Sequence, residues 1–153
     1  MLHVRVDVPA IPSVLEALAE GLVLVNVALM EYAEERGVEL PSLYETEIVY
    51  RREPPGREWW ETASDLRGVV SDHSGDCEDL SGYRAAELRH TGEDPHARVI
   101  ITPTQHNSLH ARVERGDGSI EDPSWVLLNQ ESERTGEPIT ELARRFTTDT
   151  RYT

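Results

Sequence analysis

Apolar positions in the first third of the chain follow the spacing of one helix face. Ser13 can cap the start of this pattern and Gly37 can end it, so the pattern predicts a helix from about Ser13 to Arg36. The stripe is too short for a coiled coil and predicts a core helix, with a partner-facing helix as the alternative. Its positions are Leu15, Leu18, Leu22, Val25, Leu29 and Tyr32, widened by Val23, Val27 and Met30.

A second helix is predicted from Asp76 to Arg89. Asp76 is a good N-cap residue, Asp79 occupies the capping-box position, and Gly92 follows the end. Gly82 lies inside the helix, which indicates close packing against another element at that point. The apolar stripe of this helix is Leu80, Tyr83 and Leu88.

Strand-like segments flank this second helix. Residues 48 to 50 predict a short strand before it, and residues 97 to 102 and 109 to 115 predict two longer strands after it. A glycine-rich turn at 116 to 118 leads into a returning strand at 120 to 122. A helix followed by an antiparallel sheet predicts the α+β class.

The chain is the length of one domain, with 153 residues. We divide it into an N-terminal helical segment at 1 to 40, a core at 41 to 125 and a C-terminal arm at 126 to 153. The arm is polar, and we expect one short helix in it, from Pro138 to Phe146. We interpret the arm as an appendage that could contact a partner.

Charge excludes some partner classes. The chain has 29 acidic and 15 basic residues, a formal charge of −14, which repels phosphate backbones and anionic lipid surfaces. We therefore expect no nucleic acid and no membrane as partners. The longest apolar run, from Gly21 to Met30, is shorter than a membrane span and does not follow a basic region as a signal peptide would. A cytoplasmic or particle-associated protein is expected.

The residue with the most reactive chemistry is the single cysteine, Cys77. Since it has no disulfide partner, its thiol is free. As the first residue of the predicted helix it lies at the positive end of the helix dipole, which favours the thiolate. The neighbouring acids Asp76, Glu78 and Asp79 oppose a further negative charge. Activation would therefore require a nearby imidazolium.

His110 is the histidine best placed to supply that imidazole. Within its predicted strand it alternates away from Leu109 and Ala111, so one face of the strand can pack while the other presents the ring. His110 and Asp122 are nearly symmetric about the turn, which places them opposite or diagonal across the strand pair, with Cβ atoms about 5 to 8 Å apart. We expect the carboxylate to accept the Nδ1 proton of the imidazole.

A metal site is a weaker interpretation of the same residues. A thiolate and two imidazoles from Cys77, His73 and His110 would suit zinc, but they do not form a ligand motif within one element. The acids around Cys77 lack the pattern of an EF-hand loop, and we interpret them as solvated capping acids. No metal and no cofactor are expected.

Three blocks of sequence resemble the transglutaminase-like superfamily of cysteine acyl-transfer proteins. Gly75-Asp76-Cys77-Glu78-Asp79-Leu80, followed by Ala85-Ala86-Glu87-Leu88-Arg89, is similar to its cysteine helix. His110-Ala111-Arg112-Val113-Glu114 and Asp122-Pro123-Ser124 are similar to its histidine strand and aspartate turn. The stretch from Tyr44 to Trp60, with Arg51-Arg52-Glu53-Pro54-Pro55-Gly56, resembles small phage and prophage proteins that carry this domain.

The resemblance implies a papain-like fold and a cysteine protease, amide hydrolase or acyltransferase acting on a peptide or protein substrate. It implies that Cys77 is the nucleophile, His110 the general base and acid, and Asp122 the orienting acid of a catalytic triad.

Contributors to the rest of the site are less sharply indicated. His73 and Ser74 are candidate oxyanion contributors beside the Cys77 backbone N–H, and Trp59 and Trp60 are candidate walls of a substrate cleft.

Two alternatives remain open at this point. The chain could be a bacteriophage structural or assembly protein that uses the same fold as a catalytically silent scaffold. Its N-terminal helix would then serve virion contacts or self-association. It could also be a module that binds a peptide in the same cleft.

Overall fold

The computed structural model describes residues 4–38, 40–54, 58–63, 73–106 and 108–147. The helices in these ranges are α1 (Pro12–Glu34), α2 (Cys77–His90), α3 (Pro123–Thr135) and α4 (Ile139–Leu142), with a 3-10 turn at Leu43–Glu45. The strands are β1 (Val49–Tyr50), β2 (Ser74–Gly75), β3 (Arg98–Pro103), β4 (Leu109–Glu114) and β5 (Ile120–Glu121). The mixture of helices and small sheets is an α+β arrangement. The breaker at 55 and 56 and the threonine-rich end from 148 lie outside the described residues.

Two small sheets accompany the helices. Strands β3, β4 and β5 form an antiparallel sheet in that order, and β1 pairs with β2 in parallel. In the larger sheet Thr102 pairs with His110 and Ile101 pairs with Ala111. The predicted order of helix and then antiparallel strands is confirmed for residues 77 to 121.

Helix α2 is the central element of the core. Its N-cap is Asp76 and the capping box with Asp79 is formed, as the sequence predicts. Ten of its residues are buried, on all sides of the helix, because α1, β3 and β4, and α3 pack around it. The buried residues are Glu78, Asp79, Leu80, Ser81, Gly82, Tyr83, Arg84, Ala85, Ala86 and Leu88.

Helix α1 occupies nearly the predicted range but is rotated from the predicted face. Its buried residues are Ala19, Leu22, Val23, Asn26 and Met30. Val25 and Tyr32, which the apolar stripe would bury, are 49% and 55% exposed. The reason is the close approach of α2 at Gly82 and the buried Asn26, whose Oδ1 accepts a hydrogen bond of 2.8 Å from the backbone N–H of Ala63.

In the described part of the chain, α1 alone has the length and apolar character of a membrane-crossing helix. It packs against α2 and β3, and two of its acidic residues accept hydrogen bonds from these elements. Arg89 on α2 donates two hydrogen bonds, of 2.6 and 2.8 Å, to the Glu20 carboxylate. Glu16 accepts a hydrogen bond of 2.9 Å from the backbone N–H of Ile101 on β3.

Helix α3 is the main element that the sequence analysis missed. It begins at Pro123 with Asp122 as its N-cap and ends at Gly136, which has a φ of 76°. Leu127 is part of the core, and Glu131 is buried in an ion pair of 2.6 Å with Arg51. The segment expected to be a polar arm therefore contains a helix packed on the core. The helix expected from 138 to 146 is the single turn of α4.

Candidate active site

His110 and Asp122 form a direct hydrogen-bonded pair. Strand β4 carries His110, and Asp122 follows β5 at the start of α3. Val113 pairs with Glu121 in the register between the strands, so His110 and Asp122 are diagonal neighbours. Asp122 Oδ2 lies 2.7 Å from His110 Nε2. The bond therefore uses Nε2, whereas the sequence analysis expected Nδ1, so Nδ1 is left as the second ring nitrogen.

Asp122 is held in place by two partners. Its Oδ1 accepts a hydrogen bond of 3.2 Å from the backbone N–H of Trp125, which makes it the N-cap of α3, while Oδ2 faces His110. Partial burial acts to raise the pKa of Asp122, but the hydrogen bond and positive charge of His110 and the Trp125 amide outweigh it. The net pKa is below the usual range, so this carboxylate stays ionised and can fix the histidine tautomer.

Cys77 lies beside the strand that carries His110. It is the first residue of α2, and its Sγ accepts a long hydrogen bond of 3.5 Å from the backbone N–H of Ala111. The thiol itself donates to Glu78 Oε2 over 3.2 Å. Within the described residues the hydrogen bonds of the sulfur go to these two partners and not to the His110 ring. The structure thus brings the sulfur next to the histidine strand, with its proton directed to Glu78.

The surroundings of Cys77 favour the neutral thiol in this arrangement. Burial raises its pKa well above the ordinary value, and the negative charge of Glu78 raises it further. The Ala111 N–H acts in the opposite direction because it donates to the sulfur. The balance agrees with the expectation that the acidic neighbours oppose activation at the helix N-terminus.

The acids around Cys77 are buried, so the expectation of solvated capping acids is wrong. Asp76, Glu78 and Asp79 are 9%, 5% and 1% exposed. Asp79 accepts backbone hydrogen bonds from Glu61, at 2.6 Å, and from Asp76, at 3.3 Å, which explains its burial. Burial is the main reason that the pKa of Glu78 is raised to about 8, and a hydrogen bond with the Glu58 carboxyl raises it as well.

The two tryptophans donate hydrogen bonds to Glu53 and Glu58, whose carboxylates lie close to those of Asp76 and Glu78. Trp59 is partly exposed, and its backbone N–H donates to both oxygens of Glu53 at 2.9 and 3.0 Å. Trp60 packs against the core, and its indole Nε1 donates to Glu58 over 3.3 Å. Both therefore adjoin the acidic group at the start of α2, which the sequence analysis did not predict.

His73 and Ser74 lie at the β1–β2 pairing, just before Cys77 in the chain. His73 is exposed with a φ of 58°, and its carbonyl accepts a hydrogen bond of 3.0 Å from the backbone N–H of Val49. Ser74 is buried, and its hydroxyl lies 3.3 Å from that of Thr147. Both residues thus contribute to the β1–β2 pairing and its surroundings.

Tyr50 is a neighbour of the site that sequence reasoning missed. It pairs with Gly75, two residues before Cys77. Burial raises the pKa of the Tyr50 hydroxyl, and the charge of Cys77 raises it further, so the hydroxyl stays protonated. The strand at 48 to 50 was predicted, but nothing in its sequence indicates that it pairs with residues 74 and 75, which are far away along the chain.

Comparisons with known proteins give no match to this chain. No family model matches the chain, and no curated protein or solved structure matches it. The fold and the site therefore define an α+β protein with a cysteine at a helix N-terminus beside a histidine–aspartate pair.

Proposed function

We propose that this chain is a cysteine amide or peptide hydrolase or acyl transferase with a transglutaminase-like, papain-like fold. Cys77 is the nucleophile, His110 the general base and acid, and Asp122 the orienting acid. The observation that carries the proposal is the 2.7 Å bond between His110 Nε2 and Asp122 Oδ2, with the Cys77 sulfur next to the same strand. A phage or prophage origin remains part of the proposal, on the sequence resemblance alone.

The tautomer follows from the Asp122 bond. Because an ionised Asp122 accepts a proton from Nε2, the neutral imidazole carries its lone pair on Nδ1. A rotation of the Cys77 side chain that turns the thiol from Glu78 towards His110 would deliver its proton to Nδ1. The thiolate then forms beside an imidazolium whose charge Asp122 stabilises.

The reaction proceeds in two halves. The thiolate attacks the carbonyl carbon of the substrate, and the oxyanion that forms is stabilised by the Cys77 backbone N–H, which as the first helical N–H has no intrahelical partner. His110 then donates its proton to the leaving amine as the C–N bond breaks. Water or a second amine, deprotonated by His110, attacks the thioester and releases the free thiol.

Alkylation of Cys77 tests the proposal without a known substrate. Because the chain has a single cysteine, iodoacetamide incorporation measured by mass spectrometry reports on that thiol alone. We expect it to react faster at neutral pH than a free cysteine, and His110→Ala to slow it by about tenfold or more. His106→Ala is the matched control, since His106 is exposed, and it should react at the wild-type rate. Equal rates in wild type and His110→Ala would remove the proposed role of His110.

The second candidate function is a phage structural or assembly protein with a catalytically silent site. The observation that favours it is the hydrogen bond from the Cys77 thiol to Glu78, together with the raised pKa of that thiol. This candidate predicts an oligomer or particle whose assembly, measured by light scattering, is unchanged in Cys77→Ala. It also predicts alkylation no faster than that of free cysteine, which is the outcome opposite to the one above.

A further inference from the structure

Four carboxylates from two segments converge beside the start of α2. Asp76 and Glu78 come from the helix N-terminus, and Glu53 and Glu58 come from the segment after β1. One oxygen from each lies within 4.8 Å of those of the other three. Ionised carboxylates repel each other at such distances, so in the ion-free protein protons relieve the repulsion and in the ionised cluster a cation would have to do so.

Two of these carboxylates carry buried oxygens that no N–H donor reaches. Glu78 Oε1 and Asp76 Oδ1 are inaccessible to solvent and accept no hydrogen bond from a backbone, hydroxyl or guanidinium group. The contact of Asp76 and Glu78 with each other is a hydrogen bond between two carboxyl groups, in which a cation can take the place of the shared proton. Both residues are at least nine-tenths buried, and within the described ranges neither has an ion pair with arginine or histidine. A buried carboxylate oxygen that accepts no hydrogen bond disfavours the ionised form of its side chain. These oxygens are the observation that points to a ligand.

Three of the four carboxylates are also held by hydrogen bonds from neighbouring N–H groups. The Trp59 backbone N–H fixes Glu53, and the Trp60 indole N–H fixes Glu58. Asp76 is fixed by the capping box of α2. Outer contacts of this kind orient the ligands of metal sites, and they leave oxygens available to a bound ion.

We propose that Glu53, Glu58, Asp76 and Glu78 form a binding site for a hard divalent cation such as Mg²⁺, Mn²⁺ or Ca²⁺. The donor set consists of carboxylate oxygens. Hard cations prefer such oxygen ligands, whereas softer metals prefer thiolate or imidazole ligands. Oxygens bonded to one such ion at about 2.0 to 2.6 Å lie no more than about 5 Å apart, which agrees with the observed grouping. A bound divalent ion would coordinate the two buried oxygens and offset half of the charge of the four ionised carboxylates.

Binding of Mn²⁺ to the full chain tests the site. After treatment with EDTA and its removal, Mn²⁺ binding is measured by electron paramagnetic resonance, and the thermal midpoint is recorded with and without the ion. We expect one bound ion per chain and a higher midpoint, because a ligand that binds the folded state stabilises it. Absence of stoichiometric binding would overturn the proposal.

Variants localise the ion. Glu58→Gln and Glu78→Gln should each weaken Mn²⁺ binding at least tenfold. Glu58 is exposed, so Glu58→Gln should fold and still measure the contribution of the cluster to Mn²⁺ binding if Glu78→Gln does not fold. Glu133→Gln is the matched control, since Glu133 is an exposed acid on α3, and it should bind Mn²⁺ as wild type does. Undiminished binding in both cluster variants would place the ion elsewhere and refute this site.

Competition identifies the kind of ion and separates this site from the proposed enzyme. Ca²⁺ or Mg²⁺ should displace Mn²⁺ in wild type and equally in Cys77→Ser, since the thiol is not a ligand. Displacement by Zn²⁺ that is lost in Cys77→Ser would show a thiolate site and overturn the proposal. Because Cys77→Ser removes any cysteine chemistry but not ion binding, either proposal can fail while the other stands.

Discussion

Asp122 combines a structural and a chemical contact in one side chain. One oxygen caps α3 through Trp125, and the other holds His110. The position of the histidine ring is therefore tied to the start of a helix, which is a more rigid support than a loop residue would supply. The same arrangement allows the two contacts to be separated by mutation.

Asp122→Asn and Asp122→Ala should differ in stability. Asparagine is as good an N-cap as aspartate, so the Asn variant should keep most of the wild-type free energy of unfolding, whereas the Ala variant should lose about 1 to 2 kcal/mol. Urea denaturation measures both. Equal losses in the two variants would mean that the cap contributes little and that the charge on Asp122 accounts for the stability.

The members of the candidate site were predictable, but their detailed contacts were not. The symmetric spacing of Asp122 and His110 about a short turn predicted their proximity, because the turn and the alternation of apolar positions set the register of a hairpin. The use of Nε2 and the hydrogen bond from Cys77 to Glu78 depend on side-chain rotamers. Burial of Glu78 depends on the segment after β1, which folds over the helix N-terminus. Neither rotamers nor this folding has a signature in a single sequence.

At the scale of elements, the contact between α1 and α2 depends on Gly82. A Cβ at this position would lie 2.8 Å from Leu22 Cδ2 and 3.2 Å from its Cγ. The closeness indicated by a glycine inside the helix is thus observed. The same contact explains the rotation of α1, because the face of α1 that points towards Gly82 is the buried face.

Alanine at two helical glycines should change stability in opposite directions. Gly21 on α1 has open space around it, so Gly21→Ala should stabilise the protein by about 1 kcal/mol through helix propensity. Gly82→Ala gains the same propensity but overpacks against Leu22, which costs about 1 to 3 kcal/mol. Thermal or urea unfolding of both variants measures the difference. A stabilised Gly82→Ala would show that Leu22 moves aside without cost.

Helix α3 could have been predicted from its ends. The Asp122-Pro123 start and the Gly136 stop are common helix signals, and the apolar pair Leu127 and Leu128 lies between them. The polar composition after Trp125 obscured this pattern. Some of these polar residues make contacts inside the protein, as Glu131 does in its buried ion pair with Arg51.

The ion pair between Arg51 and Glu131 should make stability depend on pH. The hydrogen bond from Arg51 lowers the pKa of Glu131, so its contribution is complete above the ordinary glutamate pKa and is lost as the pH falls through the lowered value. Glu131→Gln should cost about 1 to 3 kcal/mol at neutral pH and progressively less at acidic pH. Unfolding of both proteins from about pH 7 to pH 3 measures this, with Glu133→Gln as an exposed control. A difference that is constant with pH would contradict it.

At the scale of the whole molecule, acidic residues lie both on the surface and inside. The formal charge of −14 counts the buried acids beside Cys77 as ionised, although burial raises the pKa of Glu78 to about 8. The basic residues are arginines, several of which bridge elements, such as Arg84 to Glu121 at 2.6 Å. The excess of negative charge therefore destabilises the folded chain at long range, while ion pairs at short range connect its helices and strands.

Moderate salt should stabilise the protein. Because the Debye length falls to about 10 Å at 0.1 M, NaCl screens the long-range repulsion more than the close, partly buried ion pairs. The thermal midpoint should rise as NaCl is increased, by about 2 to 4 °C for each kcal/mol gained. Differential scanning calorimetry measures it. A midpoint that falls with added NaCl would mean that ion pairs outweigh net repulsion.

The contact between Trp60 and Glu58 also supplies an optical reporter. Terbium is a hard, oxygen-seeking ion, and an excited indole next to a terbium ligand transfers energy to the ion, which then emits green light. The Trp60 indole donates directly to a carboxylate of the cluster, and Trp59 is its neighbour in the chain. Excitation of tryptophan in a Trp125→Phe variant would therefore make terbium luminescence a direct signal of what occupies the space beside Cys77.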